Sequence, residues 1–183
     1  MNSTMLNADL HCHSSVSDGK LTPTEVARRA RRNGVEMWAL TDHDEVDGLA
    51  EAARAAAEVG LRYITGVEIS VTWAGQTVHI VGLHFDAANA ALAQGVRETR
   101  AGRGERARRM GERLADLGMP GAYEGALSFV SNPELISRTH FARYLVSAGY
   151  CPDVQTVFTK YLHDGGPAYV PVQWATLAQA LPH

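Results

Sequence analysis

The chain of 183 residues is 45% hydrophobic and 20% charged, and its formal net charge at pH 7 is −3. These values are typical of a globular protein with one sizeable core, and they exclude a disordered chain. The weak charge gives no reason to expect a stable nucleic-acid complex or a membrane-surface partner. No run of 18 apolar residues predicts a membrane span, the N-terminus lacks a secretory signal pattern, and two cysteines are too few for a disulfide framework. We therefore expect a cytoplasmic protein.

Strand-like and helix-like segments alternate over residues 1–86. The segment "MLNADLHCH" predicts a strand, and "TPTEVARRARRNG" predicts a helix with Thr22 as its N-cap and Gly34 at its end. "VEMWALT" predicts a buried strand, and "DEVDGLAEAARAAAEVG" predicts a helix that ends at Gly60. This β-α-β-α-β order favours an α/β fold with a parallel sheet or barrel.

The next two β-rich segments, "LRYITGVEISVTW" and "QTVHIVGLHF", are separated by an Ala-Gly pair that is typical of a hairpin. A two-residue loop there places Ser70 opposite His79 and Glu68 opposite Val81. Glu68 and His79 then lie on one face of the hairpin as diagonal neighbours. His84 differs in parity from His79, so we expect it to point away and to be structural.

Residues 87–166 have helical patterns instead, and residues 167–183 resemble a return to β-α alternation. We therefore expect an N-terminal barrel part over 1–86, a helical insert domain over 87–166 and a truncated return to the barrel over 167–183. Seven arginines lie between positions 97 and 113. They form either a basic surface that attracts nucleotides or a solvated helix face that glutamates partly neutralise. We favour the second for most of them, which leaves one or two facing the pocket.

Two histidines and two aspartates are crowded into "DLHCHSSVSDG" near the N-terminus. His11 and His13 alternate with Cys12 on the predicted strand, so both imidazoles point to one face and Cys12 to the other. Asp18 lies in the loop that leaves this strand and can turn back to the same point. Neutral imidazoles bind zinc, iron and manganese-type ions, and carboxylates bind the harder ions. A polar strand-to-helix loop is the alternative, but His-x-His followed by Asp favours a metal site.

Further candidate ligands follow the next strands. In "LTDHDEVDG" His43 comes directly after a buried strand, at the carboxyl end where parallel sheets place their sites. Asp42 and Asp44 either orient imidazoles or join the ligand set, and Asp44 alternatively caps the next helix. Glu68 is an acid within an apolar strand, where a buried carboxylate is costly unless it is paired or metal-bound. A glutamate in such a position often bridges two ions.

Together these side chains form a mixed set of nitrogen and oxygen ligands at the ends of successive β elements. The six members are His11, His13, Asp18, His43, Glu68 and His79. The set is large enough for two ions, and paired metal ions recur in enzymes that attack phosphate esters in line. The residues therefore predict metal-dependent phosphate chemistry.

The segments "DLHCHSSVSDGKLTPTEV", "ALTDHD", "GVEISV" and "VHIVGLHFD" resemble the first motifs of the PHP (polymerase and histidinol phosphatase) family. The resemblance is strongest to its stand-alone TrpH-like subgroup, whose members look like 3′,5′-nucleoside bisphosphate phosphatases and 5′-to-3′ exoribonucleases acting on short RNA. It extends through "NPELISRTHFARYLV" and "VFTKYL". It implies a distorted (β/α)7 TIM-like barrel of the PHP type with a helical insert. It also implies two or three divalent metal ions at the strand ends, commonly manganese, with zinc or iron as alternatives.

The resemblance also implies roles for individual residues. The six ligand candidates match family metal-site positions, with Glu68 as the bridge and with His43, Glu68 and Asp18 as catalytic residues. "SRTH" is similar to the segment that meets the substrate phosphate in this subgroup, which points to Arg138 and His140. The implied substrate is a small nucleotide, such as the 3′-phosphate of a nucleoside 3′,5′-bisphosphate, or the 5′ end of a short RNA. Further candidates for base or phosphate contacts are Lys160, Tyr161 and Tyr169.

The family's later motifs, an "AHPG"-like histidine and an "SDFH"-like Asp-x-His, are not found in residues 167–183. We therefore expect the barrel to be incomplete at His183 and the metal site to lack ligands. Histidinol phosphate hydrolysis and polymerase-associated proofreading are alternative PHP activities. A non-catalytic metal-binding module is the alternative from another class of protein.

Overall fold

Four strands form one mixed sheet in the computed structural model, which describes residues 6–74 and 76–171. The strands are β1 (Ala8–Asp9), β2 (Met37–Leu40), β3 (Arg62–Trp73) and β4 (Gln76–Leu83), paired in that order. The first three are parallel, and β4 is antiparallel to β3. Helices α1 (Pro23–Arg32) and α2 (Leu49–Val59) connect the parallel strands. The predicted α/β class and the β-α-β-α-β order are therefore confirmed.

Helix α1 begins and ends as its sequence predicts. Thr22 is the N-cap, and Glu25 closes a capping box by accepting a hydrogen bond from the Thr22 backbone N–H at 2.8 Å. Gly34 follows the helix with a φ of +81°, a left-handed conformation that glycine adopts without strain. Ala27 and Ala30 of α1 are buried in a core cluster that also contains Trp38 of β2.

Helix α2 begins later than predicted, because the segment before it is used elsewhere. The prediction that Asp44 caps this helix is wrong, since Leu49 is its first residue and Gly48 precedes it. Asp44 instead has a φ of +48° and is fully buried in the loop after β2. Its carboxylate accepts hydrogen bonds from Ser70 of β3, which holds the loop against the sheet rather than starting a helix.

The β3–β4 hairpin has the predicted register. Ser70 pairs with His79 and Glu68 pairs with Val81, so that Glu68 and His79 share a face. His84 follows the hairpin as an exposed residue with a φ of +60°.

The elements described after β4 are helical, and residues 87–171, which contain them, are called the helical segment below. They are α3 (Ala90–Arg100), α4 (Arg103–Asp116), α5 (Ala122–Leu127), α6 (Arg138–Ser147) and α7 (Val154–Val157), with a 3₁₀ turn at Pro133–Leu135 and a π-helical turn at Phe158–Leu162. They enclose their own apolar cluster, in which Leu114, Phe141 and Leu145 are fully buried. The predicted division into a barrel part and an insert domain stays a prediction. Residues 172–183, which contain most of the predicted return to the barrel and His183, lie outside the described residues.

None of the helices in the described ranges is both long and apolar enough to cross a membrane.

Candidate metal centre

Glu68 lies at the centre of a group of four histidines. Its side chain projects from β3 and the residue is only 4% exposed. Oε2 of Glu68 lies 2.6 Å from Nε2 of His11 and 3.1 Å from Nε2 of His13. Oε1 lies 3.5 Å from Nδ1 of His79 and 3.7 Å from Nδ1 of His43. Each carboxylate oxygen is thus approached by two imidazoles, and the four imidazoles come from three segments of the chain.

Backbone pairing with the residues that follow β2 positions His11 and His13. Strand β1 ends at Asp9, earlier than predicted, but the chain stays beside the end of β2, because the Thr41 N–H donates to the Cys12 carbonyl at 2.9 Å. Cys12 points to the other side, where its sulfur accepts a hydrogen bond from the Trp38 indole N–H at 3.1 Å. The predicted alternation of side chains is therefore confirmed beyond the strand itself.

Asp42 holds the loop that carries Asp18. Asp42 is 2% exposed, and its carboxylate accepts hydrogen bonds from the Ser14 N–H at 2.7 Å, the Ser14 hydroxyl at 2.6 Å and the Ser17 hydroxyl at 2.6 Å. The sequence offered Asp42 as a residue that orients an imidazole or joins the ligand set. The structure places its carboxylate on the loop serines instead, where it fixes the shape of the loop.

The six predicted ligands form three overlapping groups whose ligand atoms lie within 4.8 Å of one another. The groups are His11, His13 and Glu68; His13, Asp18 and His43; and His43, Glu68 and His79. Three residues, His13, His43 and Glu68, belong to two groups each. Such sharing suits adjacent cations that have ligands in common. His84 belongs to none of the groups found among the described residues, as its parity predicts.

Two buried nitrogen atoms support the assignment of these groups to metal binding. Nδ1 of His13 and Nδ1 of His43 are buried and have no hydrogen-bond partner within the described residues. A buried polar atom without a partner carries a free-energy cost, which coordination of a cation would remove. Imidazole nitrogens combined with carboxylate oxygens suit zinc, iron and manganese. The donor set therefore fits divalent cations of this kind.

The electrostatics give Glu68 and His43 the protonation states that a metal site needs. Burial acts to raise the pKa of Glu68, but the hydrogen bond from His13 and the nearby imidazole charges outweigh it and lower this pKa to about 2. Burial lowers the pKa of His43 to about 4, despite the opposing charges of Asp18 and Glu68. At neutral pH, Glu68 is therefore an anion and His43 a neutral base with a free lone pair.

Asp44 links this centre to the helical segment. Its carboxylate accepts hydrogen bonds from the Ser70 N–H and the Ser70 hydroxyl, both at 2.7 Å, and forms a buried ion pair with Arg103. The Ser70 hydroxyl lies 3.4 Å from Nδ1 of His79. Ser70 thus connects the Asp44 carboxylate to the imidazole of His79 by hydrogen bonds. The next residue, Glu45, forms a second buried ion pair with Arg100.

A cavity of about 110 Å³ opens between the sheet, with its loops, and the helical segment. The sheet side contributes Asp18, His43 and His79 to its walls. The helical side contributes three arginines, namely Arg103, Arg106 and Arg138. Two of the seven clustered arginines therefore face this cavity, whereas Arg97, Arg108, Arg109 and Arg113 are exposed. The guanidinium groups give the cavity a wall of positive charge next to the candidate ligands.

Arg138 and Arg106 both contact residues near the end of the described chain. Arg138 donates to Asp164 at 2.7 Å, and its guanidinium lies 5.6 Å from the centre of the Tyr169 ring. Arg106 donates to the Val170 carbonyl at 2.8 Å. Burial, followed by the charge of Arg138, lowers the pKa of Arg106 to about 10. The sequence had not distinguished Arg106 from its neighbours.

His140 is placed differently from Arg138. It is 1% exposed, its Nδ1 accepts the Ser137 N–H at 3.0 Å, and its ring hydrogen-bonds the backbone of Ser17. Burial lowers the pKa of His140 to about 4, so the ring is neutral at pH 7. Its two nitrogens thus have protein partners, and it does not line the cavity. The phosphate-binding role of Arg138 and His140 stays a prediction.

Residues 9–132 match the family model described as the PHP domain. The chain belongs to the PHP domain family. Over 177 residues it is 55% identical to the 3′,5′-nucleoside bisphosphate phosphatase of Chromobacterium violaceum, a match that covers 97% of this chain and 62% of that relative. It is 43% identical to the 5′-3′ exoribonuclease of Haemophilus influenzae, over 94% of this chain and 62% of that relative.

A solved structure has the same fold as this PHP chain. It is an amidohydrolase from Chromobacterium violaceum with bound sulfate and no metal, and it is similar with a TM-score of 0.92 and 55% identity. The match covers 95% of this chain and 61% of that one. The chain thus spans about three fifths of the length of the relatives it matches. The predicted membership of the PHP family is confirmed.

Proposed function

We propose that this chain carries a metal-dependent phosphoesterase site that removes the 3′-phosphate of nucleoside 3′,5′-bisphosphates. The observation that carries the proposal is the convergence of four imidazoles on one buried carboxylate, Glu68. The 55% identity to a bisphosphate phosphatase supports the substrate class. We further propose that the four described strands belong to a distorted (β/α)7 barrel, with residues 87–166 as its helical insert domain.

The proposed metal ligands are the six residues of the three overlapping groups, and we assign two or three divalent ions, preferably manganese, to them. Such ions supply Lewis-acid stabilisation of phosphoryl charge and a hydroxide nucleophile at neutral pH. The catalytic residues in this proposal are His43, Glu68 and Asp18. His43 offers a lone pair at pH 7 without first losing a proton, because its pKa is about 4. Glu68 remains ionised because its pKa is about 2.

The cavity supports a substrate with a second negative group. A phosphate held at the ligand side lies across a narrow cavity from the arginines of the helical segment. Guanidinium groups bind phosphate oxygens through charge-assisted hydrogen bonds, and Arg138 and Arg106 are the proposed partners of the second phosphate. His140 does not line the cavity, so in place of the predicted direct phosphate contact we propose that it supports the site indirectly, by hydrogen-bonding Ser137 and the backbone of Ser17.

Hydrolysis at the 5′ end of short RNA is the second candidate function. The 43% identity to an exoribonuclease favours it, and a cavity lined by arginines accepts a phosphodiester as well as a phosphomonoester. The two candidates share the metal centre and differ in what occupies the arginine side of the cavity.

A substrate comparison tests the proposal. The metal-stripped protein is reloaded with manganese and supplied separately with adenosine 3′,5′-bisphosphate, adenosine 5′-monophosphate and a 5′-phosphorylated trinucleotide. We expect inorganic phosphate and the 5′-monophosphate from the bisphosphate, and no phosphate from the 5′-monophosphate control. Release of mononucleotides from the RNA adds the second function. Tight manganese binding with no turnover of the bisphosphate would contradict the proposed activity.

A further inference from the structure

Residues 14–19 form a tight loop that carries Asp18 and ends at Gly19. A residue with a side chain at position 19 would distort this loop. The Gly19 N–H donates to the Ser14 carbonyl at 2.7 Å. A Cβ atom on Gly19 would lie 2.5 Å from the His13 carbonyl oxygen, which no real side chain tolerates. The loop therefore packs directly against the segment that supplies His13. Because the loop is this tight, contacts from other parts of the chain can fix the position of Asp18.

Helix α6 of the helical segment supports this loop. The Thr139 hydroxyl donates to Oδ2 of Asp18 at 3.0 Å. The Arg143 guanidinium donates to the Asp18 carbonyl at 2.5 Å and to the Gly19 carbonyl at 3.2 Å. Thr139 and Arg143 are four residues apart, so they lie on the same face of α6. One helix face thus contacts both the side chain and the backbone of a candidate metal ligand.

The same loop is fixed from the opposite side by Asp42, which accepts the Ser14 and Ser17 hydrogen bonds. Asp42 contacts the beginning of the loop, and α6 contacts its end. Among the side-chain hydrogen bonds of the described residues, those from α6 reach Asp18 itself. The direction of the Asp18 carboxylate therefore depends on residues more than 120 positions away in the sequence.

We propose that Thr139 and Arg143 are positioning residues for Asp18, so that the helical segment is part of the metal centre and not only a cover over it. The proposal rests on the metal set assigned above. Partners that hydrogen-bond a metal ligand orient it, and their loss commonly weakens metal binding about 10-fold to 100-fold. By linkage, metal bound at His13, Asp18 and His43 favours the docking of α6 to the same extent.

A pair of threonine variants separates positioning from packing. Thr139→Val keeps the shape of the side chain and removes the donor, whereas Thr139→Ser keeps the donor. Manganese binding to the metal-stripped protein is measured by calorimetric titration, together with thermal unfolding of the metal-free form. We expect Thr139→Val to weaken at least one class of manganese site about 10-fold and Thr139→Ser to bind within about 2-fold of the parent. An equal loss in both variants would overturn the role of the hydroxyl.

Arg143→Gln provides an independent check, since it removes the contacts to the loop carbonyls and leaves Thr139 in place. The matched control is Arg109→Gln, because Arg109 is exposed on α4, where it forms a surface ion pair with Glu105. We expect weaker manganese binding for Arg143→Gln only, with faster hydrogen exchange in residues 14–19. Parent-like affinity in both Arg143→Gln and Thr139→Val would overturn the positioning proposal alone. A parent protein that binds no manganese would overturn the proposed function as well.

Discussion

The sheet and the helical segment contribute to the same site in different ways. The sheet supplies the ligand atoms, which backbone pairing between neighbouring strands brings together around Glu68. The helical segment supplies supporting contacts, from Arg103 to Asp44 behind the ligands and from Thr139 to the candidate ligand Asp18. The ligand set is therefore built locally, whereas its support is built across the fold.

This difference predicts two kinds of failure. Changes on the sheet remove ligand atoms and should abolish metal binding. Changes on the helical segment leave every ligand atom in place and should weaken metal binding without abolishing it, or alter stability, pH dependence or substrate affinity. The following experiments compare the two regions, from the largest expected effect to the smallest.

Glu68→Ala removes the carboxylate that four imidazoles approach. We expect turnover to fall below detection and manganese content to drop, because the sheet ligands lose their shared partner. His43→Ala should give the same result. The control is Glu58→Ala, since Glu58 is an exposed residue on α2 that pairs only weakly with Arg28, at 3.8 Å. Full activity or full metal content in either site variant would remove that residue from the site.

Arg103→Met breaks the buried ion pair with Asp44. We expect the free energy of unfolding to fall by about 3–5 kcal/mol, because removing one partner of a buried ion pair is strongly destabilising. Urea denaturation of the metal-free protein measures the change, with Arg109→Met as the exposed control. A loss no larger than that of the control would show that the pair does not join the helical segment to the sheet.

The pH dependence of stability provides the third comparison. The folded pKa of His140 is about 4, below its ordinary value of 6.5, so the unfolded chain binds the proton more readily. The contribution of His140 to stability is present above pH 6.5 and is lost as the pH falls towards 4, which amounts to about 3 kcal/mol. His140→Gln keeps an acceptor for the Ser137 N–H and cannot titrate.

We therefore expect the stability of the metal-free parent, relative to His140→Gln, to fall by about 3 kcal/mol between pH 7 and pH 4. Urea denaturation at a series of pH values measures this difference. Parallel curves for the two proteins would mean that His140 titrates normally, and its buried position behind the cavity would then need revision.

Arg138→Ala tests the substrate side of the site. We expect KM for adenosine 3′,5′-bisphosphate to rise about 10-fold or more with little change in kcat, since a charge-assisted hydrogen bond to phosphate contributes about 1.5–3 kcal/mol. Steady-state kinetics measure the split between KM and kcat, with Arg109→Ala as the control. An unchanged KM would argue against phosphate contact by Arg138.

The sequence predicts the sheet side of the site well, because the governing rules are short in range. The hairpin register follows from the length of one loop, and this register brings Glu68 and His79 to one face. Side-chain alternation likewise separates His11 and His13 from Cys12. Each of these inferences needs only neighbouring residues in the chain.

The support from the helical segment was not predictable in the same way. The sequence allows Asp44 to cap a helix, to orient an imidazole or to join the ligand set, but its partners Ser70 and Arg103 are 26 and 59 positions away. Helical periodicity groups the arginines by face, yet it does not say what each face meets. No pattern in the sequence indicates that Arg143 reaches the backbone of Asp18, because that contact exists only once both parts have folded.

The central claim is that imidazole and carboxylate groups from separate strands share cations around Glu68. Crystals of the protein soaked with manganese and measured at the manganese absorption edge test it most directly. The account predicts at least two anomalous peaks, each bonded to residues of the three groups, with one carboxylate oxygen of Glu68 on each of two neighbouring ions. Anomalous density elsewhere on the molecule, or none beside Glu68, would contradict it.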